Sequence, residues 1–374
     1  MAQKRLVRNG QAGDERILIV GPSWVGDMVM AHSLVQLLVE RNANVVIDVL
    51  APAWSGPLLA RMPGVNAVIH MPVGHGELAL AKRWQLGQSL RGCYDQAIVL
   101  PNSLKSALVP FFARIPLRTG WRGEMRFGLL NDMRALDKKR HPLMVQRFNA
   151  LAFGSDFGKP VPAPFPRLEV DASGVPALLE RFGLDASRPV LALCPGAEFG
   201  PAKRWPERHY GAVAAAVVER GWQVWVFGSA RDKPVAETLV QHAGEAAVHC
   251  RILAGETELA EAVDLLSLAS AVVSNDSGLM HVAAALARPL VVLYGPTSPG
   301  FTPPLAKEVE VLSIAVDCGP CFQRECPKGH QKCLVDISPT RVLDALDRLM
   351  DGEFHVTCTA QLDPEQVPGK NRYP

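Results

Sequence analysis

Arg16-Ile17-Leu18-Ile19-Val20-Gly21-Pro22-Ser23-Trp24-Val25-Gly26-Asp27 is an apolar run that breaks at a glycine-proline pair and leads straight into a helical pattern. A run without polar alternation reads as a strand buried on both faces, the signature of a parallel sheet covered by helices. Met28–Arg41 follows with Val29, Leu34, Leu37 and Leu38 at helical spacing. Further strands are expected at Val45–Leu50, Ala67–Met71 and Gln96–Leu100. Pro160 to Pro166 then places four prolines in seven residues, a density that neither a helix nor a central strand accepts.

Beyond that run the alternation begins again. Strands are expected at Val190–Cys194, Gln223–Phe227, Ala271–Ser274 and Leu290–Tyr294. The helices expected between and after them are Glu207–Arg220, Lys233–Ala243, Glu258–Leu268 and Gly278–Ala287. Ser338-Pro339 has the form of an N-cap followed by proline in the first turn, opening a last helix to Met350. The reading is therefore α/β, with an N-terminal extension at 1–15, one doubly wound domain at 16–172, a second at 173–350 and a polar tail at 351–374. Ligands of such sheets bind beyond the carboxyl ends of the strands, so two facing halves would hold one in a cleft between them.

Bulk properties narrow the function. A chain of 374 residues suits two domains, and 48% hydrophobic with 20% charged residues is a globular composition. Lys and Arg number 39 against 37 Asp and Glu, a balance that argues against a general nucleic-acid binder. No run of 18 apolar residues suggests a membrane span, and Ile17–Val20 is too short for a signal-peptide core, so a cytoplasmic protein is expected. Eight cysteines in that compartment are not expected to form a disulfide framework.

The chemistry concentrates at strand ends. Gly21 to Asp27 fits neither the dinucleotide G-x-G-x-x-G pattern nor a P-loop, and the missing fingerprint makes a redox enzyme the least favoured reading. Asp27 near a helix start reads equally as a cap or as a base that takes a proton from a hydroxyl. Cys194 to Pro206 combines Gly196 and Gly200 with adjacent Lys203 and Arg204, as a diphosphate pocket requires; a solvated cation pair is the bland alternative. Ser229 and Asp232 are spaced as a capping box. Ser274-Asn275-Asp276-Ser277-Gly278-Leu279-Met280-His281 leaves a strand and opens a helix through glycine, with backbone N–H groups aimed at an anion. Asp276 there could cap the helix, hold a ribose or sugar hydroxyl, or ligate a phosphate-bound ion such as Mg2+. Tyr294-Gly295-Pro296-Thr297 is a tight strand exit expected beside the same ligand. Residues 111–140 hold eight Lys/Arg and three Asp/Glu, among them Arg114, Arg118, Arg122 and Arg126, a candidate grip for an anionic partner. Cys318, Cys321, Cys326 and Cys333, with His330 nearby, offer a structural Zn2+ site, or simply reduced thiols, away from the transfer chemistry.

Taken together, these segments resemble the ADP-heptose:lipopolysaccharide heptosyltransferases, glycosyltransferase family 9, over residues 16 to 350. The resemblance is carried by Gly21 to Met28, Leu100 to Ala107, Thr119 to Glu124, Cys194 to Trp205 and Asn275 to His281. It implies a GT-B fold and inverting transfer of heptose from ADP-heptose to the first heptose of the inner core on Kdo-lipid A, at the cytoplasmic face of the inner membrane. Asp27 falls on the position of the catalytic base and Lys203 on the lysine that meets donor phosphate. Donor-side residues are Gly196, Glu198, Gly228, Ser229, Glu256, Asp276, Ser277, Gly278 and His281; acceptor-side residues are Ser23, Trp24, Gly26, Asn102, Lys105 and Arg122. One departure stands out. Where relatives carry a ribose-binding Glu after the Phe227-Gly228 strand end, this chain has Ala230, leaving that contact to Asp232 or Glu256. No cofactor is required by this reading. Its alternatives are another nucleotide-sugar transferase of the same fold, or a non-catalytic binder of nucleotide sugars or membrane surfaces.

Overall fold

The computed structural model describes residues 14–74, 76–154 and 160–352. The expected extension at 1–15 and tail at 351–374 lie almost wholly outside them. The chain divides after Pro166 into two compact units. This is earlier than residue 172, because the segment just past the prolines is tied to the second unit. Leu168 N–H donates to the Ala285 carbonyl, and Asp171 N–H to the Asp264 carboxylate at 2.9 Å.

The first unit carries six strands: β1 Arg16–Val20, β2 Val46–Ala51, β3 Val65–His70, β4 Gln96–Val99, β5 Leu117–Trp121 and β6 Asp132–Arg134. They form one parallel sheet ordered β3-β2-β1-β4-β5-β6. β1 is buried throughout, as its unbroken apolar run requires. One sheet face packs Leu18, Val20, Ala97 and Val99 against Leu86, Leu90 and Val109. Ile19 and Val49 of the opposite face meet Met28 and Val35 of helix Val25–Arg41.

The second unit repeats the plan with β7 Val190–Cys194, β8 Gln223–Val226, β9 Cys250–Ile252, β10 Ala271–Asn275, β11 Leu290–Tyr294 and β12 Val309–Ser313. Their order is β12-β11-β10-β7-β8-β9, again all parallel. Trp205, Tyr210 and Val213 cover one face together with Ile337, Val342 and Leu346. In both sheets the first and fourth strands are neighbours and the chain winds outward from them in opposite directions. The crevice beyond β1 and β4, and its counterpart beyond β7 and β10, is therefore where each unit is built to receive a ligand.

Four strands escaped the sequence reading: β5, β6, β9 and β12. Each lies at or next to a sheet edge, where polar residues such as Arg118, Asp132, Arg251 and Glu310 interrupt the apolar run.

Candidate active site

In the second unit the loop after β7 and the turn after β10 meet at that crevice. Asn275, fully buried, joins them: its Oδ1 accepts from Trp205 N–H at 3.2 Å and Tyr210 O–H at 3.1 Å, and its Nδ2 donates to the Pro195 carbonyl at 2.6 Å. Trp205 is itself locked, donating from Nε1 to the Ile337 carbonyl at 2.9 Å. Lys203 is thereby delivered to Asp276, with Nζ 2.6 Å from Oδ2 and 3.3 Å from the Asp276 carbonyl. Thr297, just past β11, donates its hydroxyl to the same carboxylate oxygen at 2.6 Å. Lys203 Nζ also stands 5.0 Å from the Phe199 ring centroid.

This geometry decides the role of Asp276. It does not cap helix Gly278–Ala285, whose N-cap is Ser277, and Ser277 makes no side-chain cap bond. Its Oδ2 holds both Lys203 and Thr297. Without a side-chain cap, the first amides of the helix are the groups suited to an anion. His281, one turn along, is buried, and loss of solvation pushes its imidazole down to about 4; the nearby Asp276 carboxylate opposes the shift and Lys203 adds to it. The ring is neutral at physiological pH.

Gly196 and Gly228 have a common reason to be glycine. A Cβ on Gly196 would lie 2.6 Å from the Asp232 carboxylate, and one on Gly228 would lie 2.8 Å from Asp232 Cβ. Asp232 fills the space between the two strand ends and accepts from Ser229 N–H at 2.9 Å and from Ser229 O–H at 2.8 Å. Glu198 and Glu256, both expected at the donor, form exposed ion pairs with Arg231 at 2.6 Å and Lys233 at 2.7 Å.

The cysteine segment needs a correction. It lies against the Lys203 loop, not away from it: the Arg324 carbonyl accepts from Ala202 N–H at 3.0 Å, and Gln331 Nε2 donates to the Pro201 carbonyl at 3.1 Å. Cys318, Cys321, Cys326, Cys333 and His330 line one small cavity with Ala202 and Pro296. The four thiols are free, and Cys318 Sγ is 4.0 Å from His330 Nε2. Among the described residues, no group of three or more His, Cys, Asp or Glu is arranged to hold a metal ion.

In the first unit, helix Val25–Arg41 starts two residues before Asp27, so Asp27 sits in its first turn, half-buried. The N-cap is Trp24, which makes no side-chain cap bond, so Asp27 is not the cap either. Ser23 and Trp24 are exposed and Gly26 half-buried beside it. Across the β1/β4 crevice, the loop after β4 carries exposed Asn102 and half-buried Lys105. Arg126 sits under that loop, fully buried, and donates to the Pro101 carbonyl at 2.7 Å, to Asn102 Oδ1 at 3.3 Å and to the Trp121 carbonyl. Burial lowers its guanidinium to about 10, and its Nε has no partner. It therefore organises the loop and is not a surface grip, contrary to the sequence expectation. Arg118 is likewise turned onto the Leu129 and Ile115 carbonyls, whereas Arg114 and Arg122 are exposed.

Sequence reasoning gave no contact to Asn275 or Phe199, and it placed Thr297 beside the ligand through the strand exit without its bond to Asp276. A carboxamide at a strand end was the available signal for Asn275.

Two Rossmann-like units, each a parallel six-stranded sheet, have the build of a GT-B glycosyltransferase. Residues 83–332 match Glycosyltransferase family 9 (heptosyltransferase), and the chain belongs to that family. Lipopolysaccharide heptosyltransferase 2 of Escherichia coli K12 is 51% identical over 342 residues, spanning 90% of this chain and 98% of that protein. Lipooligosaccharide heptosyltransferase 2 of Haemophilus influenzae is 50% identical, across 89% and 99%. The solved structure of E. coli ADP-heptose lps heptosyltransferase II superposes with a TM-score of 0.81 at 49% identity, covering 90% of this chain and 99% of that one.

Proposed function

We propose that the protein transfers L-glycero-D-manno-heptose from ADP-heptose to the first heptose of the lipopolysaccharide inner core, heptosyl-Kdo2-lipid A. The observation that carries this reading is the near-full-length match, at about half identity, to enzymes named heptosyltransferase 2. An acceptor hydroxyl oxygen attacks the anomeric carbon and its proton passes to the Asp27 carboxylate. The bond from that carbon to the donor phosphate breaks, and its electron pair leaves with ADP. Lys203 and the amides at the start of helix Gly278–Ala285 offset the departing charge. Asp276, itself held by Thr297, keeps the ammonium in place for that task. The base itself is worth roughly 10²–10⁴-fold.

The test is ADP release with heptosyl-Kdo2-lipid A. Asp27→Asn is expected to lose turnover by about 100-fold or more while still binding ADP-heptose. Near-normal turnover would remove Asp27 from the base role, and equal use of UDP- or GDP-sugars would remove ADP-heptose as the donor.

Among the described residues, no helix is long and apolar enough to cross a membrane. We propose peripheral contact with an anionic bilayer through Arg114, Arg122 and the side chains of Met125 and Phe127, which are 79% and 69% exposed. Replacing Met125 and Phe127 by Ser is expected to reduce sedimentation with phosphatidylglycerol vesicles. Unchanged sedimentation would discard this surface.

A further inference from the structure

The charges around the β7/β10 crevice are closely matched. Lys203 lies 2.6 Å from Asp276, Arg204 3.8 Å from Asp232, Arg231 2.6 Å from Glu198 and Lys233 2.7 Å from Glu256. Each of these cations already faces a carboxylate. A doubly anionic diphosphate arriving beside Lys203 would find that charge largely offset by Asp276. Helix amides contribute only partial charge. The crevice as described so far is short of one positive charge.

Arg324 supplies it. This exposed arginine comes from the cysteine-lined segment, and among the described residues no carboxylate pairs with it. Its guanidinium carbon stands 5.6 Å from the centroid of the Phe199 ring, the same ring that lies 5.0 Å from Lys203 Nζ. A planar guanidinium set against an aromatic ring keeps its N–H fork available, which suits bidentate contact with phosphate oxygens. The backbone under it is fixed. Its carbonyl accepts from Ala202 N–H at 3.0 Å and lies so close to Gly200 that a Cβ there would clash with it. On the other side Phe322 N–H donates to the Pro296 carbonyl at 2.8 Å, next to Thr297. The segment thus touches both loops that hold the Lys203–Asp276–Thr297 cluster, and Arg324 is the free cation it brings there.

We propose that Arg324 is a second diphosphate-binding residue of the donor site, acting beside Lys203 across the Phe199 ring. The inference rests on the reading of the donor as a nucleoside diphosphate sugar. It also gives the cysteine-lined segment a function that needs no metal.

The experiment measures calorimetric affinities of the full-length protein for ADP and adenosine, comparing wild type with Arg324→Ala and Arg324→Lys. Arg324→Ala is expected to weaken ADP by about tenfold or more, the scale of one charge-assisted contact, and to leave adenosine unchanged. Arg324→Lys should recover part of the loss. An ADP affinity within about twofold of wild type in Arg324→Ala would overturn the proposal. So would equal weakening of ADP and adenosine, which would mean a disturbed loop. No binding of ADP by the wild type would instead overturn the nucleotide reading itself, and this proposal with it.

Discussion

His281 shows how one buried side chain sets a pH response. Its imidazole titrates at about 4 in the folded protein, because burial disfavours the cation. The unfolded chain titrates near 6.5. Between those values the unfolded state binds more protons, so stability rises with pH across the window. The contribution is fully present above about pH 6.5 and is lost as pH falls towards about 4, for up to about 3 kcal/mol in all. Urea midpoints at about pH 7 and pH 5 should therefore separate more in wild type than in His281→Asn. His141 and His209, also lowered chiefly by burial, respond in the same direction in both proteins and drop out of the comparison. Equal separations would show that His281 is protonated or solvated in the native state. The sequence pointed to His281 through its place after a tight turn, but not to this behaviour. That depends on burial by residues far away in the chain.

At the scale of elements, the loops were legible where their residue types have local meaning. Glycine density and paired cations marked the loop after β7, and the acidic turn before a glycine marked the one after β10. Illegible were the choices that depend on register and packing. Glu198 and Glu256 were expected at the donor from their place in the loops, but their ion pairs with Arg231 and Lys233 could not be read from sequence. Asp232, read as a capping-box residue and as one candidate for the ribose contact, is also the plug that makes Gly196 and Gly228 necessary. The contact between the Lys203 loop and the cysteine segment joins elements more than a hundred residues apart, as in the bond from Gln331 to Pro201. Gly200→Ala tests that contact, because the added methyl would collide with the Arg324 carbonyl. A destabilisation of about 1–3 kcal/mol is expected, read as a lower urea midpoint at unchanged slope. ADP should also bind more weakly, since Lys203 lies in the displaced loop. A variant as stable as wild type would mean that the segment gives way freely and does not brace the site.

At the scale of the whole molecule, the repeated strand-turn-helix pattern was enough to read two doubly wound units, but the break was read at 172, a few residues beyond the division after Pro166. The central strands β1, β4, β7, β10 and β11 carried that reading, because burial on both faces leaves them almost uninterrupted in apolar residues. The edge strands β6, β9 and β12, half-polar by position, did not. Each unit has its own sheet and its own core, and the residues placed at the donor crevice all belong to the second. A fragment of residues 167–352 should then fold cooperatively and bind ADP within about tenfold of the full chain, the difference of a single contact at most. It should release no ADP from ADP-heptose in the presence of acceptor, because Asp27 lies in the other unit. A fragment that melts cooperatively but fails to bind ADP would show that the first unit completes the nucleotide site. In that case Lys203, Asp276 and the helix amides would be only part of what holds the donor.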